Sequence, residues 1–441
     1  MRRNLTHSFI AAIAAGAGAP IALAQVSWEN PSGGSYHIGA NWSSMAVPGP
    51  SDRVEFNLAD AYTVDFSAAA TNERLRVRNG QVTFDLGGAT YTLTLTTSDS
   101  AQIGLLSNED AMLTILNGQV QTHETVLGQF GSSKGELIVD GAAARWDCAA
   151  GMIVGASGEG ALRALNGAQV TCVGMMIVGG ESGSDGLVEI SGEDSHLSIG
   201  GSLSIGPSTF SFIDGDAGSG DARGFAFSEG RVDLAPGAMI TASSVIIGPN
   251  GSLQGAGVID APMVSNSQGL LRVRPGEPLR IEGEYFDTQG ALVEIEIGGA
   301  TPGLQHGVLD VAGQFSPQGN LMVTLVNDYV PNPGAAFTIV MSSSFGSLFN
   351  AIMLPDLPFG REWVVQYSAD TLTLLVEGES SIPADLNGDG RVNAQDLSIL
   401  LGSWGFCPDP PAECIADINN DGRVNAQDLA VLLSFWGFDS N

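Results

Sequence analysis

The chain has 441 residues, a formal charge of −31 and a single lysine, Lys134. A surface this acidic repels nucleic acid and anionic lipid and attracts divalent cations. Hydrophobic residues make up 44% of the chain, which excludes a disordered acidic tail and supplies a sizeable core.

Residues 1–24 read as a secretory signal. Arg2 and Arg3 form the positive start, residues 9–19 are an apolar run, and Ala22-Leu23-Ala24 is an A-x-A cleavage site. The expected location is secreted, extracellular or on the cell surface. No other stretch approaches the roughly 18 uninterrupted apolar residues of a membrane span.

An N-terminal β region is expected over residues 25–99, followed by repeats over residues 100–260. Short alternating strands end in Ile103-Gly104, Leu127-Gly128, Val154-Gly155, Val178-Gly179 and Ile205-Gly206, at spacings of 24, 27, 24 and 27. A second series is interleaved, with Asn-Gly118, Asp-Gly141, Asn-Gly167 and Ser-Gly192 at its ends. Units of about 25 residues are too short for a propeller blade and suit one coil of a solenoid. Cys148-Ala-Ala-Gly-Met-Ile-Val and Cys172-Val-Gly-Met-Met-Ile-Val occupy the same place in consecutive units. Their cysteines should be neighbours, either as a disulfide or as two stacked buried thiols.

These units resemble the repeats of autotransporter passengers and of secreted bacterial proteins sorted by C-terminal tags. Trp28-Glu-Asn-Pro-Ser-Gly-Gly, Ala40-Asn-Trp42 and Pro48-Gly-Pro-Ser-Asp52 fit the same resemblance. So do Gly255-Ala-Gly-Val-Ile259 and Gly290-Ala-Leu-Val-Glu-Ile-Glu-Ile-Gly-Gly299. It implies a β-helical protein that is surface-exposed or released. Residues 261–376 continue as a β-rich C-terminal part. Its alternating runs at 321–326, 337–341, 363–367 and 372–376 are placed to cap an open edge. Residues 377–384 form a short polar linker.

Residues 385–441 carry one 12-residue loop written twice. Asp385-Leu-Asn-Gly-Asp-Gly-Arg-Val-Asn-Ala-Gln-Asp396 returns 32 residues later as Asp417-Ile-Asn-Asn-Asp-Gly-Arg-Val-Asn-Ala-Gln-Asp428. A calcium loop places oxygen donors at positions 1, 3, 5, 7 and 12, with a tight turn at position 6. The first set is Asp385, Asn387, Asp389, the Arg391 carbonyl and Asp396. The second is Asp417, Asn419, Asp421, the Arg423 carbonyl and Asp428. Two calcium ions are therefore expected. A helix should follow each loop, with Leu397, Leu400, Leu401 and Trp404, and again Leu429, Leu432, Leu433 and Trp436, on one face. The expectation is that these two faces bury each other. Cys407 and Cys414 flank a proline-rich excursion and, in an exported protein, should form a disulfide.

This segment resembles a bacterial type I dockerin, in which each repeat is a calcium loop with one following helix. The resemblance implies a cohesin-type protein as partner. By position it gives the recognition role to Ala394 and Gln395 and to Ala426 and Gln427. A self-contained calcium-stabilised tail with no partner is the competing reading.

The fold class expected from all this is mainly β. A parallel β-helix (β-solenoid) with a β-rich cap precedes a small all-α calcium-binding module. No paired carboxylates, nucleophile motif or histidine metal spacing marks a catalytic centre. Glu136, Asp147 and Glu189 read as a solvated face, and the segment 214–221 as an acidic, glycine-rich insertion. The reading is a non-catalytic structural or adhesive solenoid with a calcium-dependent docking tail. The alternative is a protein that binds polysaccharide, or cleaves it as a hydrolase or lyase, and is assembled through its tail.

Overall fold

The structure, a computed structural model, describes residues 25–97, 100–181, 183–206, 228–358, 361–378, 382–407 and 414–438. The segment expected to be a signal, residues 1–24, the stretch 214–221 and the middle of the expected linker lie outside the described residues. Among those described, no helix is long and apolar enough to cross a membrane.

The protein is mainly β, with two long sheets of 22 and 13 strands whose strands pair predominantly in parallel. The repeats explain why. Asp110–Leu116, Lys134–Asp140, Glu159–Leu165 and Asp185–Ser191 lie side by side, each in register with the next. All four bury every second residue, as a period of two requires. Leu113, Leu137, Leu162 and Val188 therefore stack as one fully buried column. A shorter strand follows in each unit. Gln119–Thr122, Arg145–Cys148 and Gln169–Cys172 stack in the same way and put Val120, Trp146 and Val170 inside. Such stacking of neighbouring coils agrees with a β-solenoid. The pairing runs on across residues 100 and 261 without a break, from the strand at Gln25–Ser27 to that at Ala351–Met353.

Glycines set the corners. Gly104, Gly128, Gly155, Gly179 and Gly206 all have φ between 63° and 75°. After Gly128, Gly155, Gly179 and Gly206 the next long strand has glycine as its second residue, Gly135, Gly160, Gly186 and Gly230, pressed against that corner. A Cβ on Gly160 would lie 2.0 Å from the Gly155 nitrogen. Each of these corners is thus built from two glycines, one at its turn and one in the strand that follows.

Both ends of the stack are closed. At the start, Trp28, Tyr36 and Trp42 are fully buried, with ring centroids 5.0 Å apart for Trp28–Trp42 and for Tyr36–Trp42. Tyr36 and Tyr91 both donate to the buried Asn72 side chain. At the far end Thr371–Glu377 pairs antiparallel with both Ala336–Phe345 and Glu362–Tyr367. This reversal covers strand edge that would otherwise template association.

Cys148 and Cys172 are register partners, both buried and both free thiols. The Cys172 thiol donates to Cys148, and this bond, together with burial, holds its pKa well above the ordinary value. His306 is fully buried, edge-on to Phe337 at 5.3 Å, with Nδ1 3.2 Å from the Gly299 carbonyl. Burial lowers its pKa from 6.5. The unfolded chain therefore binds more protons below about pH 6.5, and stability falls as pH drops from there towards the folded value. We expect the melting temperature to decline between pH 7 and 5, and His306→Gln to flatten part of that slope. An unchanged slope would remove His306 as a source.

Candidate metal centre

The C-terminal module packs around its own buried cluster of Ile382, Ala384, Val392, Leu400, Ala416, Val424 and Leu432. Ile382 and Ala384 fall within the stretch that the sequence marks as linker, yet both are buried here. Each loop leads into a nine-residue helix, α1 at Ala394–Gly402 and α2 at Ala426–Ser434.

The loop side chains fold inward onto backbone N–H groups. Asp385 Oδ1 accepts from Gly388 and Asp389, and its Oδ2 accepts from Gly390 at 2.8 Å. Asp417 accepts from Asp421 at 3.0 Å and from Gly422 at 2.8 Å. Asn387 and Asn419 each accept from the aspartate two residues on, at 3.0 Å. Asp389 and Asp421 each accept from the arginine N–H two residues on, at 2.9 Å. Gly390 and Gly422 have φ of 83° and 87°, as the turn at position 6 demands. Position 4 is Gly388 in one loop and Asn420 in the other, both left-handed, and asparagine tolerates that region.

The last donor of each loop also starts its helix. Asp396 is fully buried; its Oδ1 accepts from Leu386 and Asn387, and its Oδ2 from Asn393. Asn393 in turn accepts from Gln395, which completes a capping box, and Asn425 with Asp428 repeats it. The carboxylate thus sits where the helix dipole favours negative charge.

The donor set is all oxygen, with three carboxylates, an amide and a carbonyl per loop, and this chemistry fits a hard divalent cation. Among the described residues, neither loop holds its three carboxylates within 4.8 Å of one another. Like charges repel at that range, and a cation would supply the attraction that gathers them. Cys407, Cys414 and Asp417 do cluster, but the two sulfurs are bonded to each other and are no metal ligands.

Ala394, Gln395, Ala426 and Gln427 are all exposed. The glutamines are not idle. The Asn387 amide donates to Gln395 Oε1 at 3.0 Å, and the Asn419 amide to Gln427 Oε1 at the same distance. The apolar faces depart from the expected burial. Leu400 and Leu432 are buried and Leu397 and Leu429 pack beside them, but Leu401, Trp404, Leu433 and Trp436 are about half exposed. The reason is geometric. Each helix is nine residues, about two and a half turns, so Trp404 and Trp436 fall beyond it, and Leu401 and Leu433 lie a further 100° round from the core-facing leucine.

The solenoid carries one arrangement that sequence reasoning missed. Asp110, Lys134, Glu159 and Asp185 begin successive stacked strands and line a groove of about 480 Å³. Lys134 Nζ is 2.6 Å from Glu159 Oε2. Burial first, then Glu229 and Glu159, raises the Asp185 pKa. The signal was present, since each residue directly precedes the first small residue of a repeat strand. Glu136 and Glu189 both pair with Arg163, and Asp147 accepts from Gln119, so these acids are engaged in ladders along the sheet. No family model and no curated protein matches the chain significantly.

Proposed function

We propose that this is an exported, non-catalytic β-solenoid with structural or adhesive use. Its C-terminal module is a dockerin-like unit that binds two calcium ions and docks onto a cohesin-type protein. The observation that carries the reading is duplication: two 12-residue loops with the same donors, largely the same inward-turned side-chain bonds and the same exposed Ala-Gln pair. When bound, calcium would supply the positive charge that holds three carboxylates together at each helix start. Asp385, Asn387, Asp389, the Arg391 carbonyl and Asp396 would hold one ion. Asp417, Asn419, Asp421, the Arg423 carbonyl and Asp428 would hold the other. The half-exposed Leu401, Trp404, Leu433 and Trp436 supply the apolar area that a docking surface needs.

The test is binding of the full chain to a panel of purified cohesin domains, with calcium and with chelator. Calcium-dependent capture by at least one domain, lost in the Ala394→Asp/Ala426→Asp double variant, is expected. No capture in calcium would leave a self-contained tail. The groove of Asp110, Lys134, Glu159 and Asp185 favours polysaccharide as a second reading, because its charges repeat at the strand spacing of about 4.8 Å. Binding on a glycan panel that Lys134→Ala abolishes would support it.

A further inference from the structure

The two loops carry the same donors but are anchored differently. In both, the N–H of the position 1 aspartate donates to the carbonyl three residues earlier, from Asp385 to Ile382 at 2.8 Å and from Asp417 to Cys414 at 3.0 Å. Ile382 and Cys414 are therefore equivalent positions. Ile382 is 1% exposed and held by the apolar core, whereas Cys414 is only partly buried and is bonded to Cys407.

Cys407 is itself fixed on the other side of the second loop. Its N–H donates to the Gly422 carbonyl at 3.1 Å, and the preceding Gly405 and Phe406 pair antiparallel with Val424 and Arg423. The Arg423 guanidinium covers the Phe406 ring at 4.2 Å. The first loop has the matching backbone pair, between Val392 and residues 437 and 438, but no covalent link. The Cys407 sulfur lies 3.4 Å from Asp417 Oδ2, and with no S–H to donate the contact is one of packing.

We infer that the Cys407–Cys414 disulfide is a positioning element for the second loop, doing there by a covalent bond what buried Ile382 does for the first. The bond ties the entry of the loop at position 1 to its turn at position 6. It keeps the Asp417 carboxylate and the Arg423 carbonyl in place before a cation arrives. The two sites are then unequal despite identical donors, and only the second answers to reduction. This rests on the calcium reading above.

The experiment isolates each loop in the full chain. Asp385→Ala leaves the second loop, and Asp417→Ala leaves the first. Calcium affinity is measured by titration calorimetry for both, oxidised and after reduction and alkylation. Binding to the second loop should weaken about tenfold on reduction, within the loss of chain restraint that opening so short a loop brings. Binding to the first should not change. Cys407→Ser/Cys414→Ile in the Asp385→Ala chain should recover most of the affinity with no disulfide, which a merely global effect of the bond would not give. Equal loss in both loops, or no loss in the second, would overturn the inference. Absence of calcium binding in both oxidised chains, and in the parent, would instead overturn the calcium reading itself.

Discussion

Replacing Asp428 by alanine is expected to unfold the C-terminal module even in saturating calcium, whereas Asp421→Ala should leave it folded with weaker binding. The two carboxylates belong to the same loop but do different work. Asp428 is fully buried and accepts from Ile418 at 2.8 Å, Asn419 at 3.2 Å and Asn425 at 2.8 Å. Its loss strands three backbone donors, each at a cost of about 1 kcal/mol or more, and one of the three, the Asn425 N–H, is its half of the capping box. A module with a core of this size has little stability beyond that to lose. Asp421 is exposed and accepts from one backbone N–H and two asparagine amides. Circular dichroism of the two variants with and without calcium decides it. A folded Asp428→Ala module would mean that the helix start does not depend on this carboxylate.

Gly160→Ala should destabilise the solenoid by roughly 4 kcal/mol or more, the range of a large core disruption. The new Cβ would sit 2.0 Å from the Gly155 nitrogen and 2.8 Å from the Leu127 carbonyl oxygen. Both are backbone atoms, one of the corner just before Gly160 and one of the corner a coil earlier, and cannot rotate away. Opening that corner separates one coil from the next, and stacked coils are stabilised chiefly by their neighbours. Gly131→Ala is the control, because its Cβ would meet nothing nearer than the Ser157 carbonyl oxygen at 3.9 Å. Thermal melts should show Gly160→Ala several degrees below the parent, or split into two transitions, with Gly131→Ala within about a degree. Equal melting of both variants would contradict the corner argument.

Much of this was readable in the chain because repetition amplifies weak signals. Alternation in a single strand such as Asp110–Leu116 is ambiguous, but the same pattern at a fixed spacing, each time ending at glycine, fixes a coil and its register. That is why Cys148 and Cys172 could be placed side by side beforehand. The duplicated loops and the helices that follow them were legible for a different reason, since the same twelve residue types return at a fixed offset with a capping pair at the end of each. Side-chain exposure was not legible. The stripe through Leu397, Leu400, Leu401 and Trp404 has helical spacing, but spacing says nothing of how long the helix is or how much core faces it. Ile382 was missed because a lone isoleucine beside serine and proline has no periodicity to announce its burial. The groove at Lys134 was missed because its charges meet only across coils, about 25 residues apart in sequence.

The central claim is that calcium organises the C-terminal module. It is tested most directly by titrating calcium into residues 379–441 while following helicity by circular dichroism. The account predicts a folding transition complete by about 10⁻³ M, the upper range for extracellular loops of this kind, and lost when Asp385 and Asp417 are both replaced by alanine. Unchanged helicity up to about 10 mM, well above that range, would contradict it.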